Sequence, residues 1–259
     1  MKAAEFSYAR PKRLSEVLEL LAEHGDEARL LAGGQTLLAT LNMRLSEPAL
    51  LIDMQAISEL KGLSLQGNTL RIGALVTHAE IETSELVARH APLLAAAGPH
   101  IAHRAIRNVG TFGGSIAYGD PAAEWPACLL ALNGTVIARS LTGERRIAAD
   151  SFFTGLYTTE LAPDEVIVAC EVPIARDDQL FSFTELARRH GDYAVVGLAA
   201  AATLGNGLTT QVRLAWIGVG STPMRSPAAE QALLGQPLVE ETMAATVKAL
   251  RDELSPSPI

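Results

Sequence analysis

The chain has 259 residues, 48% of them apolar and 19% charged, which is enough apolar material for a packed core and excludes a disordered chain. At roughly 150 residues per domain, the length fits one large domain or two to three small ones. The balance of 21 basic against 29 acidic residues, net −8, has the wrong sign for a protein that tracks nucleic-acid phosphates.

In chain order, residues 15–24 (SEVLELLAEH) set Val17, Leu18, Leu20 and Leu21 at helical spacing. Ser15 is the predicted N-cap and Gly25 the residue that ends the helix. ARLLAGG (28–34) reads as a strand breaking into a tight loop, and ALLIDM (49–54) as a second strand. TLRIGALVTHAEI (69–81) reads as a hairpin or strand pair introduced by a Gly67-Asn68 turn, and 84–97 as helical. The glycine-rich stretch 101–127 reads as irregular backbone flanked by helical pieces. GTVIA (134–138), RRIAA (145–149) and EVIVACEVP (165–173) read as strands.

The polar stretch IARDDQ (174–179) marks a boundary. Beyond it, 181–188, 194–204 and 209–220 read as three antiparallel strands, with turns at His190-Gly191 and Gly205-Asn206-Gly207. Helices over 227–234 and 239–254 follow. No repeat recurs at a fixed period. Many short strands with segregated helices place the chain in the α+β class.

The N-terminal stretch has charge but no apolar segment behind it, and the longest apolar run (194–204) is too short to span a bilayer. Both predict a cytoplasmic protein with no membrane-spanning segment. The two cysteines, Cys128 and Cys170, form no C-x-x-C pair, so no iron–sulfur cluster or disulfide framework is expected in this chain. There is no G-x-G-x-x-G after a strand, no Walker-type phosphate loop, no H-E-x-x-H and no G-x-S-x-G. The six histidines lack metal-ligand spacing. His100 and His103 stand three apart with no third ligand, and read as solvated or helix-capping residues.

Two glycine turns carry the chemistry: LLAGGQT (30–36) and RNVGTFGGS (107–115). Each sets a Gly-Gly pair beside a small hydroxyl residue, Thr36 or Ser115. Glycine accepts φ > 0 and lets backbone N–H groups approach a ligand, and successive N–H groups make an anion-binding nest. Two nests from distant segments would clamp the phosphates of a pyrophosphate. Read alone, each pair also fits an ordinary tight turn. In GDPAAEWP (119–126), Asp120 is a natural N-cap, with Glu124 one turn into the helix. Glu124 then reads either as a ribose-hydroxyl acceptor or as a carboxylate that complements the helix dipole.

The stretches LLAGGQTLLATLNMRL, IRNVGTFGGSIAYGDPAAE and ARRHGDYAVVGLAAA resemble the FAD-binding medium subunit of the molybdenum hydroxylases. That family includes carbon monoxide dehydrogenase, the N-heteroaromatic hydroxylases and xanthine dehydrogenase. The resemblance covers nearly the whole chain. It implies an FAD fold of the vanillyl-alcohol-oxidase/p-cresol-methylhydroxylase type in two subdomains, 1–55 and 56–176, and a flavoprotein C-terminal domain over 177–259. Carried over residue by residue, the first pyrophosphate loop falls on Ala32, Gly33, Gly34, Gln35 and Thr36. The second falls on Thr111, Phe112, Gly113, Gly114 and Ser115. The acidic ribose-binding position falls on Glu124. Ile101 matches a position near the flavin ring, Leu161 one near the adenine or flavin, and Tyr193 an aromatic position that approaches the isoalloxazine.

Two departures stand out. Relatives often carry Lys where this chain has Thr184, so Arg188 or Arg189 would have to replace that cation. The chain also ends at Pro256-Ser257-Pro258-Ile259, where relatives usually continue with another helix. The resemblance implies no catalytic acid, base or nucleophile here, and no metal ligand. It implies an electron-transfer subunit that passes electrons from [2Fe–2S] clusters of a small partner, fed by a molybdopterin–molybdenum centre in a large partner, through FAD to an external acceptor. The expected assembly is a dimer of heterotrimers. A stand-alone flavin oxidoreductase on the same fold, or a scaffold subunit that has lost FAD, are the competing readings.

Overall fold

Each third of the chain pairs its strands locally, and three larger sheets and one two-stranded ribbon result in the computed structural model, which describes residues 2–254. The first sheet comes from β1 (Ser7–Ala9), α1 (Leu14–His24), β2 (Ala28–Leu31), α2 (Leu37–Asn42) and β3 (Leu50–Asp53). Its order is β1-β3-β2, all parallel, with Tyr8 opposite Leu51 and Leu30 opposite Ile52. All of β3 is buried, as a central parallel strand covered on both faces should be. Leu14, Val17, Leu18 and Leu21 of α1 pack on Leu50 and Ile52.

Ser15 is not the N-cap of α1. The cap position is Arg13, and the Glu16 carboxylate accepts the N–H groups of Lys12 and Arg13. The Leu14 N–H instead donates to Glu59, 2.8 Å away. Gly25 at φ +50° ends the helix as its sequence position implied. β1, three mostly exposed residues, has no apolar alternation that would have announced it.

The second unit runs β4 (Leu63–Gln66), β5 (Thr69–Gly73), α3 (His78–Thr83), α4 (Glu85–His90), α5 (Pro92–Ala97), a 3₁₀ turn at Gly98–His100 and α6 (Arg104–Arg107). It continues with α7 (Phe112–Tyr118), α8 (Glu124–Ala131), β6 (Thr135–Ser140), β7 (Gly143–Ala148), α9 (Ala149–Phe152), β8 (Phe153–Gly155), β9 (Thr158–Thr159) and β10 (Val166–Pro173). Its antiparallel sheet has the order β4-β5-β10-β6-β7.

Three readings of this stretch are corrected. The Gly67-Asn68 turn does join β4 to β5, but 78–81 is helix rather than strand. The reason is a reciprocal cap: the Glu80 N–H donates to the Thr77 hydroxyl and the Thr77 N–H to the Glu80 carboxylate. The helical stretch 84–97 is two helices, broken before Pro92, which opens α5. Much of 101–127 is helix, with Gly113 and Gly114 inside the first turn of α7.

The third unit is a four-stranded antiparallel sheet in the order β11 (Gln179–Ala187), β12 (Ala194–Gly205), β13 (Leu208–Ile217), β14 (Met224–Arg225), followed by α10 (Pro227–Leu233) and α11 (Glu240–Glu253). Only the two-residue β14 went unread. The expected end at residues 256–259 lies outside the described residues. Ala194, Ala199, Ala215 and Ile217 of this sheet share one apolar cluster with Leu93, Leu94, Trp125 and Leu129 of the second unit. No helix among the described residues is long and apolar enough to cross a membrane.

Candidate functional site

The two glycine loops meet. A Cβ on Gly33 would lie 2.3 Å from the Val109 carbonyl oxygen and 2.7 Å from the Gly110 Cα, so only glycine lets the first loop pack on the backbone leading into the second. A Cβ on Gly114 would lie 2.8 Å from the Thr111 hydroxyl and 3.6 Å from the Ala32 Cβ. The two segments, some eighty residues apart in sequence, are in van der Waals contact.

The loops are built differently. In the first, the carbonyls are anchored: Gln55 Nε2 donates to Ala32 O at 3.1 Å, Gln35 Nε2 to Gly33 O at 3.0 Å, and the Leu38 N–H to Gly34 O. None of the N–H groups from Gly33 to Thr36 donates to another described residue. Gly34, at φ +68°, allows the reversal. Gln35 therefore braces the loop, and a run of backbone donors is left over beside the start of α2. These are the donors that the sequence reading assigns to an anion.

In the second loop the donors are spent. The Phe112 N–H donates to Val76 O, the Gly113 N–H to Ala74 O, the Gly114 N–H to the Thr111 hydroxyl and the Ser115 N–H to Thr111 O. The expectation of a second φ > 0 nest is thus not met. Gly113 is glycine because Ala74 lies 2.6 Å from where its Cβ would be. This loop can offer a bound group the Ser115 hydroxyl and a surface without side chains, but no free amide among these four.

Glu124 is the first residue of α8, not one turn inside it, and Ala123 rather than Asp120 occupies the cap position. Asp120 instead accepts the Ala122 N–H at 2.8 Å. Burial pushes the Glu124 carboxyl up to about 8, with Glu185 and Asp120 adding repulsion. Tyr193, immediately before β12, is 71% exposed. Partial withdrawal from water, with Asp120, Tyr157 and Glu124 nearby, raises its phenol. The Tyr118 and Tyr157 rings meet at a tilt with centroids 5.0 Å apart, and Asp120 acts on both phenols. Thr184 is exposed on β11, and Arg189 is paired with Asp192 at 3.0 Å.

Ile101 is buried, and the segment that carries it is clamped. The Arg107 guanidinium donates to Ile101 O (2.9 Å), Ala102 O (2.7 Å) and Glu82 Oε2 (2.9 Å), which holds Ala102 at φ +44°. Leu161 packs at the edge of the large core.

Sequence reasoning missed four supporting residues: Gln55, Arg107, His78 and Trp125. Trp125 Nε1 donates to His78 Nδ1 at 2.9 Å, and His78 lies directly beneath Gly110, whose Cβ would be 2.7 Å from His78 Nε2. Burial, with Arg107 nearby, lowers the His78 imidazole to about 4. A buried Trp–His bond has no signature in a single sequence. The position of Arg107, just ahead of the second loop, was the one legible hint. Among the described residues no cluster of His, Cys, Asp or Glu could hold a metal ion, and both cysteines are buried and unpaired.

A chain built this way, with an amide-rich first loop closed by a glycine-packed second loop, belongs to the FAD-binding subunits of the molybdenum hydroxylases. The family models agree: residues 4–175 match the FAD-binding domain in molybdopterin dehydrogenase, and residues 181–259 match the CO dehydrogenase flavoprotein C-terminal domain. The chain is 41% identical over 255 residues to the nicotine 6-hydroxylase medium subunit of Paenarthrobacter nicotinovorans, covering 98% of this chain and 89% of that protein. Among solved structures it superposes on carbon monoxide dehydrogenase from Hydrogenophaga pseudoflava with a TM-score of 0.97 at 36% identity, covering 100% of this chain and 90% of that one. It superposes on quinoline 2-oxidoreductase from Pseudomonas putida 86 with a TM-score of 0.94 at 37% identity, with the same coverage. The protein is accordingly an oxidoreductase subunit that binds FAD.

Proposed function

We propose that this chain is the electron-transfer flavoprotein of a molybdenum-containing dehydrogenase or hydroxylase. Substrate would be oxidised at a molybdopterin–molybdenum centre in a large partner. Electrons would arrive through [2Fe–2S] clusters of a small partner and leave to an external acceptor. Bound FAD supplies the exchange between one-electron and two-electron carriers. The observation that carries this reading is the run of uncommitted N–H groups from Gly33 to Thr36, with the second glycine loop packed against it.

This chain's own part is binding and orientation. The Gly33–Thr36 amides, with Ala32 beneath them, hold the pyrophosphate charge, and the free donors fit that anion. Gly113 and Gly114 keep the facing surface bare, with Thr111 holding the turn and the Ser115 hydroxyl available. Glu124 meets a ribose hydroxyl. Being largely protonated below about pH 8, it can donate as well as accept. Ile101 and Leu161 contribute apolar flanks, and Tyr193 covers the ring from the C-terminal unit. The exposed Leu38, Met43 and Leu45, on and just after α2, suit a partner contact. We place the assembly, a dimer of heterotrimers, in the cytoplasm.

The test is to purify the chain with whatever it assembles with, and to measure FAD per chain, molybdenum and iron. One FAD per chain, with large and small partners in native mass spectrometry, supports the reading. Bound FAD on a chain that purifies alone would favour the stand-alone oxidoreductase, and absence of FAD would leave only a scaffold.

A further inference from the structure

Asp53 is a buried carboxylate with no direct part in the proposed cofactor site. It ends β3, the central strand of the first sheet, and is only 5% exposed. A carboxylate so far from water needs partners. Its Oδ2 accepts from the Tyr8 hydroxyl on β1 and lies 3.4 Å from Nε of Arg10, just past the end of that strand. Its Oδ1 accepts the Gln55 N–H at 2.9 Å, a contact that turns the chain as it leaves β3.

That turn bears on the first glycine loop, because β2 and β3 run side by side. Leu31 stands opposite Asp53, and the Met54 N–H donates to Leu31 O at 3.0 Å. One residue further along each segment, the Gln55 side chain reaches across, and its Nε2 donates to Ala32 O at 3.1 Å. Gln35 Nε2 holds Gly33 O at 3.0 Å, and the Leu38 N–H holds Gly34 O at 3.1 Å. A peptide group is planar, and in its trans form each carbonyl points opposite to the N–H of the next residue. Fixing these three carbonyls therefore fixes the direction of three N–H groups, those of Gly33, Gly34 and Gln35. They belong to the run of uncommitted donors in the loop.

We propose that Tyr8, Asp53 and Gln55 are positioning residues for the FAD pyrophosphate. The inference rests on the proposed function, which places that anion at the Gly33–Thr36 amides. Gln55 acts through the Ala32–Gly33 peptide: by holding Ala32 O it keeps the Gly33 N–H aimed at the anion. Asp53 holds Gln55 by its main-chain N–H, and the Tyr8 hydroxyl holds Asp53, with Arg10 adding a positive charge. Glycine admits both signs of φ, so without its anchor the Ala32–Gly33 peptide can flip and present an oxygen to the phosphates. A loop that must be reordered on binding loses affinity. The string starts at the surface, where Tyr8 is 55% exposed, and reaches the first amide of the loop through hydrogen bonds alone.

The experiment uses the purified FAD-loaded complex carrying Gln55→Met, which keeps the length of the side chain without its donor, or Tyr8→Phe, which removes only the hydroxyl. Both side chains are exposed, so neither change opens the core. FAD release after dilution is followed by the fluorescence of the free cofactor. The phosphorus resonances of the bound pyrophosphate are recorded, and the melting midpoint is taken after FAD has been stripped. Gln55→Met should release FAD about fivefold faster and Tyr8→Phe about twofold faster, as loss of one hydrogen bond in the string implies. The phosphorus resonances of FAD still bound to Gln55→Met should be displaced, and the stripped midpoints should stay at the wild-type value. Release at the wild-type rate in either variant overturns the proposal. So does faster release with unmoved phosphorus resonances or with a lowered stripped midpoint, because either marks general loosening rather than misdirected amides. Failure of the wild-type complex to hold FAD would instead overturn the proposed function, and is read from the visible spectrum before any variant is compared.

Discussion

Gly33 shows what a single missing side chain decides. A Cβ there meets main-chain atoms at 2.3 and 2.7 Å, and neither can rotate away. Gly33→Ala should separate the two loops, destabilise the protein by about 1–3 kcal/mol and abolish FAD retention. Denaturant melts and the flavin spectrum check both effects, and full occupancy in the variant would remove Gly33 from the site. Gly114→Val crowds the Thr111 hydroxyl and Ala32 in the same place and should likewise yield colourless protein. Tyr193, at 71% exposure, is the opposite case. Tyr193→Ala should leave stability within about 0.5 kcal/mol but alter flavin reoxidation kinetics; unchanged kinetics would rule out a role over the ring.

His78 belongs to the same scale. Its imidazole titrates near 4 in the folded protein against 6.5 when free, so the unfolded chain binds the extra proton between those values. Stability should therefore be fully present above about pH 6.5 and should fall as pH drops toward 4, by about 3 kcal/mol in all. Glu124 has the reverse sign. Its folded value is raised to about 8, so the cofactor-free protein should lose stability as pH rises from about 4.5 to 8. Glu124→Gln should flatten the upper part of that profile. Melting temperatures from pH 4 to 9 separate the two groups.

At the scale of elements, the short helices around the second loop are held by caps and by one arginine rather than by length. α3 exists because of the Thr77–Glu80 box, and α7 because Thr111 caps it and Gly113 can approach Ala74. Helices this short are marginal on propensity alone and need such tertiary support. Arg107 does the corresponding work for the segment before α6, since its bonds to Ile101 O and Ala102 O satisfy carbonyls that a folded chain would otherwise strand, while Glu82 Oε2 is shared with Arg104. Arg107→Ala should cost on the order of 3 kcal/mol and release Ala102 from φ +44°. The denaturant midpoint would show the cost, and faster amide exchange over 101–104 would show the release.

Across the whole molecule, the third unit is tied to the second rather than hung from it. The shared apolar cluster is reinforced at one edge, where Asp150 accepts from Arg213 at 2.6 Å and Arg225 at 3.1 Å, and Arg213 Nε donates to Leu130 O at 2.9 Å. The Gly218 N–H also donates to Pro121 O, which joins the end of β13 to the turn before Glu124. Calorimetry should therefore show the second and third units unfolding in one transition. Two resolved peaks would mean that the cluster does not couple them.

Much was legible in the sequence because it is local. Apolar runs and turn residues marked β10 to β13, helical spacing marked α1 and α11, and the Gly-Gly pairs marked both loops. The order of these motifs also carried the family resemblance, and with it FAD. The tertiary structure decided what depends on neighbours far along the chain. It assigned the free amides to the first loop and spent two of the second loop's on Val76 and Ala74, because β5 and the segment after it run beside α7, and the other two on Thr111. It moved the start of α8 to Glu124 and buried that carboxyl. It also set His78 under Gly110 and His100 against Glu185. Hydrogen-bond partners and burial are properties of the folded arrangement, and spacing along one chain does not encode them.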